Sequence, residues 1–274
     1  MRRQFIIAPA LLLFASVGLS CSLLPRRDHL TWRLVLESEA AGADRDAVIR
    51  RSVTVIERRL DDLGIRSSSV VAQGTPLNGL ILVSLPNVAD RERLKGIITA
   101  GGLLEMAAVV SPPNPTPVQT YKTKEEALSS LGDKATDNRR VLPYVERGDP
   151  RPGLPSGERS WVVVEVPAIV DGADLRSASA MPSAGVPDNY QIHFSLGPEG
   201  ATKLGAWTGS HINNYLSVVL NGEVKTIAYI RTQILDQGEI NGRFTKQSAE
   251  DLALVLRSGA LPAPLKIVEE TAIR

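Results

Sequence analysis

The sequence predicts an α+β protein: a ferredoxin-like base in the order β-α-β-β-α-β, carrying an inserted, smaller α/β head. Three observations lead there. Between residues 30 and 110 the apolar spacing alternates between the period of a strand and that of a helix in that order. A second set of strand and helix signals occupies 159–238, and a capped helix with a following strand fills 239–274.

In the first set, Leu30, Trp32, Leu34 and Leu36 alternate along one side of a strand. From Asp46 to Leu63, the residues Ile49, Val53, Ile56, Leu60 and Leu63 recur at spacings of three and four, one helical stripe, and Gly64 can close that helix in a left-handed conformation. Strands follow at 69–72 and 80–85, separated by Gly74, Pro76, Asn78 and Gly79. A helix over 90–99 directs Leu94, Ile97 and Ile98 inward, Gly101 and Gly102 stop it, and Leu103 to Val110 is expected to be the fourth strand of the base.

Residues 111–158 hold eight prolines and only one short helical segment, Lys124 to Leu131, so they read as a solvated insertion or linker. In the head, 161–166 and 191–196 are strands, and Pro198 and Glu199 suit the first turn of a helix. Tyr215 to Ile230 is a hairpin, because Asn221-Gly222 supplies the positive φ angles of a two-residue turn. Thr245 caps a helix bearing Ala249, Leu252, Ala253 and Leu256, Gly259 stops it, and Leu265 to Thr271 is a strand. Helix and strand are expected to return together to the base.

The totals exclude several classes. With 31 Lys and Arg against 30 Asp and Glu, no net field draws the chain to nucleic acid. Aromatics are 4%, so stacking rests on Trp32, Trp161 and Trp207 alone. Of three histidines, His29 lies in the tether, while His193 and His211 flank a head helix; Ser195 shares a strand side with His193, and that pair reads as a partly exposed edge-strand histidine rather than a nucleophilic site. No histidines or cysteines cluster at metal-ligand spacing, and no Gly-rich phosphate loop is present. Arg50, Arg51, Arg58 and Arg59 alternate with acids and read as a solvated helix face. No cofactor or catalytic residue is expected.

The first 21 residues form a targeting segment: Arg2 and Arg3 precede an apolar run, and small or apolar Gly18, Leu19 and Ser20 precede the sole cysteine, Cys21. This resembles a lipoprotein signal with lipidation at Cys21, followed by a 22–29 tether. The alternative is an uncleaved anchor, since Phe5 to Leu24 carries no charge over about the length that spans a bilayer. Either reading puts the remainder outside the cytoplasm.

Several motifs occur in a shared order: IERRLDDLGI, ILVSLPNVADRERLKGII, IVDGADLRSAS, FSLGPEGATKL, VVLNGEVKTIAYI, INGRFTKQSAEDLALVL and RSGALPAPLKIVEE. In that order they resemble the first periplasmic domain of SecD, part of the SecDF preprotein export component. The resemblance implies a base and a movable head that contacts exported polypeptide. In that family acidic and arginine residues of later transmembrane helices couple protons to motion. A membrane helix follows this point in the family, and no position of the 274 residues is expected to inherit that coupling. Departures are LTWRLVLES where the family begins with a Gly-rich Leu-Asp-Leu motif, and Ile227-Ala228-Tyr229 where it has Ser-Ala-Pro.

The expectation is a non-enzymatic, envelope-anchored accessory, facing the periplasm, on the inner or outer membrane. Its partners are exported or unfolded polypeptides and Sec translocase components, without proton coupling; the alternative is a module docking onto another envelope protein. Free sheet edges could add a client strand, a mode that tolerates any sequence.

Overall fold

The computed structural model describes residues 30–40, 44–73, 79–112, 117–132, 138–145, 159–185 and 187–272. The targeting segment, Cys21, the tether with His29, and residues 146–158 lie outside them. Among the described residues no helix is long and apolar enough to cross a membrane.

The base is built from β1 (Leu30–Ser38), α1 (Arg45–Asp62), β2 (Ser69–Gln73), β3 (Leu80–Pro86), α2 (Arg91–Thr99) and the last strand, β13 (Leu265–Ala272). Its sheet has the order β13-β1-β3-β2, with neighbours antiparallel. That is the ferredoxin-like arrangement, with a correction to the sequence reading. The fourth strand is β13, whereas β4 (Leu104–Ala108), expected to fill that place, pairs elsewhere. The reason is burial on both faces of β4: Leu104 and Met106 enter one core of the head and Ala107 another, which a strand with one helical cover could not accommodate.

Local chemistry sets the base helices. Gly64, at φ +74°, ends α1 in a Schellman turn: its N–H reaches the Asp61 carbonyl at 2.9 Å and the Ile65 N–H reaches Leu60 at 2.8 Å. Asp90 caps α2 by accepting the Arg93 N–H at 3.0 Å. Ile49, Ile56 and Leu60 of α1 and Leu94 and Ile98 of α2 meet Trp32, Leu34 and Leu36 of β1 in one core.

The head comprises α3 (Lys124–Ser129), β5 (Arg139–Val145), β6 (Arg159–Glu165), β7 (Val170–Asp171), β8 (Leu175–Pro182), β9 (Tyr190–Leu196), α4 (Pro198–Ser210), β10 (Tyr215–Leu220), β11 (Glu223–Tyr229), β12 (Gln237–Phe244) and α5 (Lys246–Ser258). The stretch read as solvated insertion thus also contributes the strand β5. A six-stranded sheet runs β6-β5-β11-β10-β4-β7. It curls until β6 meets the continuation of β4, where the Val110 N–H bonds the Val163 carbonyl at 2.9 Å. Ala107, Leu142, Val162, Val164, Val219 and Val224 fill the curl. The expected hairpin joins β10 and β11, with Asn221 at φ 51° and Gly222 at φ 77°. A separate antiparallel sheet has the order β12-β9-β8.

Helix α5 does not simply return to the base. Its Ala249, Ala253 and Leu256 pack into the head core with Ala178, Ile192 and Ile240, because the two alanines allow close approach to the sheet. Its opposite side presents Leu254 and Val255 to Ile97 of α2. Asp251 also accepts a bidentate pair from Arg93, its Oδ1 from Nη2 at 2.6 Å and its Oδ2 from Nε at 3.1 Å.

Arg59 sits where these pieces converge, with no exposed surface, which overturns its placement on a solvated face. Its Nη1 donates to the carbonyls of Ile97 (2.8 Å), Ile98 (3.1 Å) and Ala100 (2.6 Å). Its Nη2 donates to Gly259 O at 3.0 Å and its Nε to Ser258 Oγ at 3.2 Å. These acceptors cluster at the C-terminal ends of α2 and α5, where carbonyls lack helical partners and carry partial negative charge. Burial pushes the guanidinium down to about 10, so it remains charged at neutral pH. Gly102 passes beside it at φ +69°; a Cβ there would lie 2.8 Å from Val255 Cγ1 and 3.2 Å from Arg59 Nη2.

Arg59→Ala orphans several buried carbonyls at once. We expect it to lower the unfolding free energy by about 3 kcal/mol or more, read from urea denaturation, with Arg59→Lys losing less because its ammonium still reaches some of the acceptors that alanine leaves unpaired.

Candidate functional site

A surface that takes a polypeptide strand needs an outer strand whose backbone is neither capped nor guarded by charge. Three outer strands compare directly. On β8 the Ala178 carbonyl already accepts Arg257 Nη1 at 3.0 Å, and the strand ends in Pro182, which has no N–H. Strand β13 carries Lys266, Glu269 and Glu270, and its pairing with β1 is broken by a bulge at Val35/Leu36. Lys95 Nζ lies 3.0 Å from Glu270 Oε2, and Trp32 Nε1 donates to Glu270 Oε1 at 3.0 Å, so that edge is tied down. Both edges are blunted.

Strand β2 has none of these guards. Its sequence, Ser-Val-Val-Ala-Gln, lacks charge and proline, and its register with β3 is unbroken from Ser69↔Ser84 to Gln73↔Leu80. Val70 points into the base core, whereas Val71 is 51% exposed on the opposite face. Among the described residues no strand pairs with its outer side. The sequence marked this strand; its isolation at the edge follows only from the sheet order.

The head sheet offers a second open surface, where the sequence's histidine lies. His193 is on β9, the central strand and not an edge, between Ser179 of β8 and Glu239 of β12. A Ser-His-Glu row therefore crosses three strands. The contacts do not make it a nucleophilic site: His193 Nε2 lies 2.6 Å from Gln191 Nε2 and 3.2 Å from Glu239 Oε1, while the Ser195 hydroxyl is engaged at 2.6 Å by Ser177. No described serine is bonded to the histidine. Beneath this face Phe194 lies across Gly238, and Ile192, Phe194 and Leu196 enter the core.

The tryptophans are occupied as anchors. Trp32 is fully buried with Arg91 over its ring, Trp161 has Lys124 and Arg159 at 5.9 and 5.7 Å, and Trp207 stacks on His211 at 4.3 Å. Among the described residues no group of three His, Cys, Asp or Glu is placed to hold a metal.

Comparison with known proteins adds a lineage to this geometry. The model of the SecDF P1 head subdomain matches residues 148–263, and that of the N-terminal P1 domain of the protein translocase subunit SecDF matches 49–111. The chain is 34% identical over 230 residues to the protein translocase subunit SecD of Aquifex aeolicus, covering 84% of this chain and 40% of that one. Against SecDF of Thermus thermophilus it is 31% identical over 245 residues, covering 88% and 30%. The chain thus spans well under half the length of these relatives. A solved chain described as a membrane component SecDF that enhances protein export superposes with a TM-score of 0.63 at 29% identity, covering 88% of this chain and all of that one. A SecDF in a super-membrane-facing form gives 0.65 at 28% identity, covering 88% and 30%.

The close approach at Gly238 is itself testable. A Cβ there would lie 2.4 Å from Phe194 Cζ, so Gly238→Ala must displace a buried ring; we expect a loss of about 1–3 kcal/mol in urea unfolding.

Proposed function

The chain belongs to the SecD family through its P1 region, and from that premise we propose that it is a non-enzymatic accessory of protein export that holds extended polypeptide. The observation that carries the mechanism is the unguarded outer side of β2. An incoming segment pairs its main chain with Ser69–Gln73, so affinity comes from backbone hydrogen bonds common to every sequence. The exposed Val71 adds a small apolar contact without demanding a particular residue. The mechanism is passive: the bound strand is restrained from slipping back or aggregating, then released, with no proton transfer by this chain. The solved relative described as enhancing protein export supports this assignment.

In this reading the folded part faces the periplasm, tethered through residues 22–29 to a lipid on Cys21, beside Sec translocase components. Cys21→Ser then shifts the protein from the membrane to the soluble fraction or leaves an uncleaved precursor; a mature-sized protein that stays in the membrane would rule the lipid out.

The capture mechanism is tested by placing a photo-crosslinker at Val71 and, as a control, at Met181 on the blunted β8 edge. Val71 should capture many unfolded export clients and Met181 few. Both Val71→Lys and Val71→Glu should weaken client binding about tenfold, since an edge charge of either sign obstructs pairing. Equal capture at the two positions overturns the β2 assignment, and a single folded partner in stoichiometric yield identifies a docking module instead.

A further inference from the structure

A further surface lies between base and head. A cleft of about 480 Å³ opens where α1 faces the turn after β7 and the loop after α5. Its walls include Val55, Leu103, Ala173 and Pro262, and Leu103 is 42% exposed although apolar. Along the α1 side stand Arg51 and Arg58, both exposed, and neither has a hydrogen-bond or ion-pair partner among the described residues. Seven residues apart on a helix, they share a face about 10 Å apart. Asp171 also lines the cleft, yet its Oδ1 is taken by the Ala173 N–H at 2.8 Å and it pairs with neither arginine.

We propose that this cleft binds an acidic, amphipathic segment of extended polypeptide, its carboxylates on Arg51 and Arg58 and its apolar side chains against Val55 and Leu103. The geometry fits an extended chain. Alternate side chains share one side, and positions two and four residues apart are separated by about 7 and 13 Å, which brackets the spacing of the arginines. Guanidinium forks favour carboxylates, and the apolar wall supplies the remaining contact area. The volume lies within the range of binding clefts for small ligands and short segments. The inference rests on the polypeptide-binding reading but assigns a selective site distinct from the sequence-tolerant β2 edge.

The test uses the full chain and three β-prone peptides, alternating Val-Glu, Val-Gln and Val-Lys, with binding followed by fluorescence anisotropy. The Val-Glu peptide should bind at least tenfold tighter than Val-Gln at low salt, Val-Lys more weakly still, and the preference should shrink in 0.5 M salt, as expected on screening grounds. Arg51→Gln and Arg58→Gln should each remove part of the preference and the double variant all of it. Unchanged thermal unfolding would show these exposed substitutions leave the fold intact. A preference that survives in the double variant, or is absent in the unaltered protein, overturns the proposal. If unfolded clients still crosslink at Val71 while the peptides show no charge preference, only this site falls; if nothing binds anywhere, the polypeptide reading falls with it. Arginine-dependent binding to anionic vesicles without a peptide preference would replace the peptide by a lipid headgroup.

Discussion

One guanidinium organises the junction of this molecule. Arg59 enters from the base helix α1 and meets the carbonyl ends of α2 and α5, one from the base and one packed under the head. Among the described residues no carboxylate pairs with it; its acceptors are a side-chain hydroxyl and backbone oxygens that the two helices leave unpaired. A buried charge is tolerable only when its donors are met, and here satisfying them fixes the position of three elements at once. The route of the chain from base to head is constrained by the same group, since Gly102 leaves no room for a side chain beside it.

Helix α5 is the other half of that constraint. Most surface helices bury a single stripe, but α5 buries two: small residues against the head sheet and Leu254 and Val255 against the base. The contacts of Arg93 with Asp251, and of Arg257 with Asp62 and the Ala178 carbonyl, border the same junction. Both candidate surfaces draw on this scaffold, because α1 packs beneath the β2 edge and also supplies the cationic wall of the cleft.

Much of this was legible in the sequence, and the failures share a cause. The α1 stripe, Gly64, the Asn221-Gly222 turn and the Thr245 cap are local signals, read within a few residues of where they act. The fourth base strand is ambiguous in the sequence because a strand with period-two burial can pair with any neighbour, and nothing near Leu104 sends it to the head sheet rather than beside β1. Arg59 reads as solvated because arginines 50, 51 and 58 surround it in sequence, and only the ends of two distant helices give it acceptors. The β2 edge was visible as a strand but not as an edge, since exposure of its outer side is a property of sheet order. The cleft had no sequence signature, because its walls come from four separated segments.

The split of the base sheet also sets a timetable for its assembly. Synthesis delivers β1, α1, β2, β3 and α2 by residue 99, yet the partner that closes the β1 side arrives only with residues 265–272. Until then β1 displays an open flank, and more than 160 intervening residues must fold as a loop whose ends meet late. A nascent chain of this kind carries a second open edge through most of its synthesis, so it gains from shelter of the same sort that its mature form is proposed to provide to others.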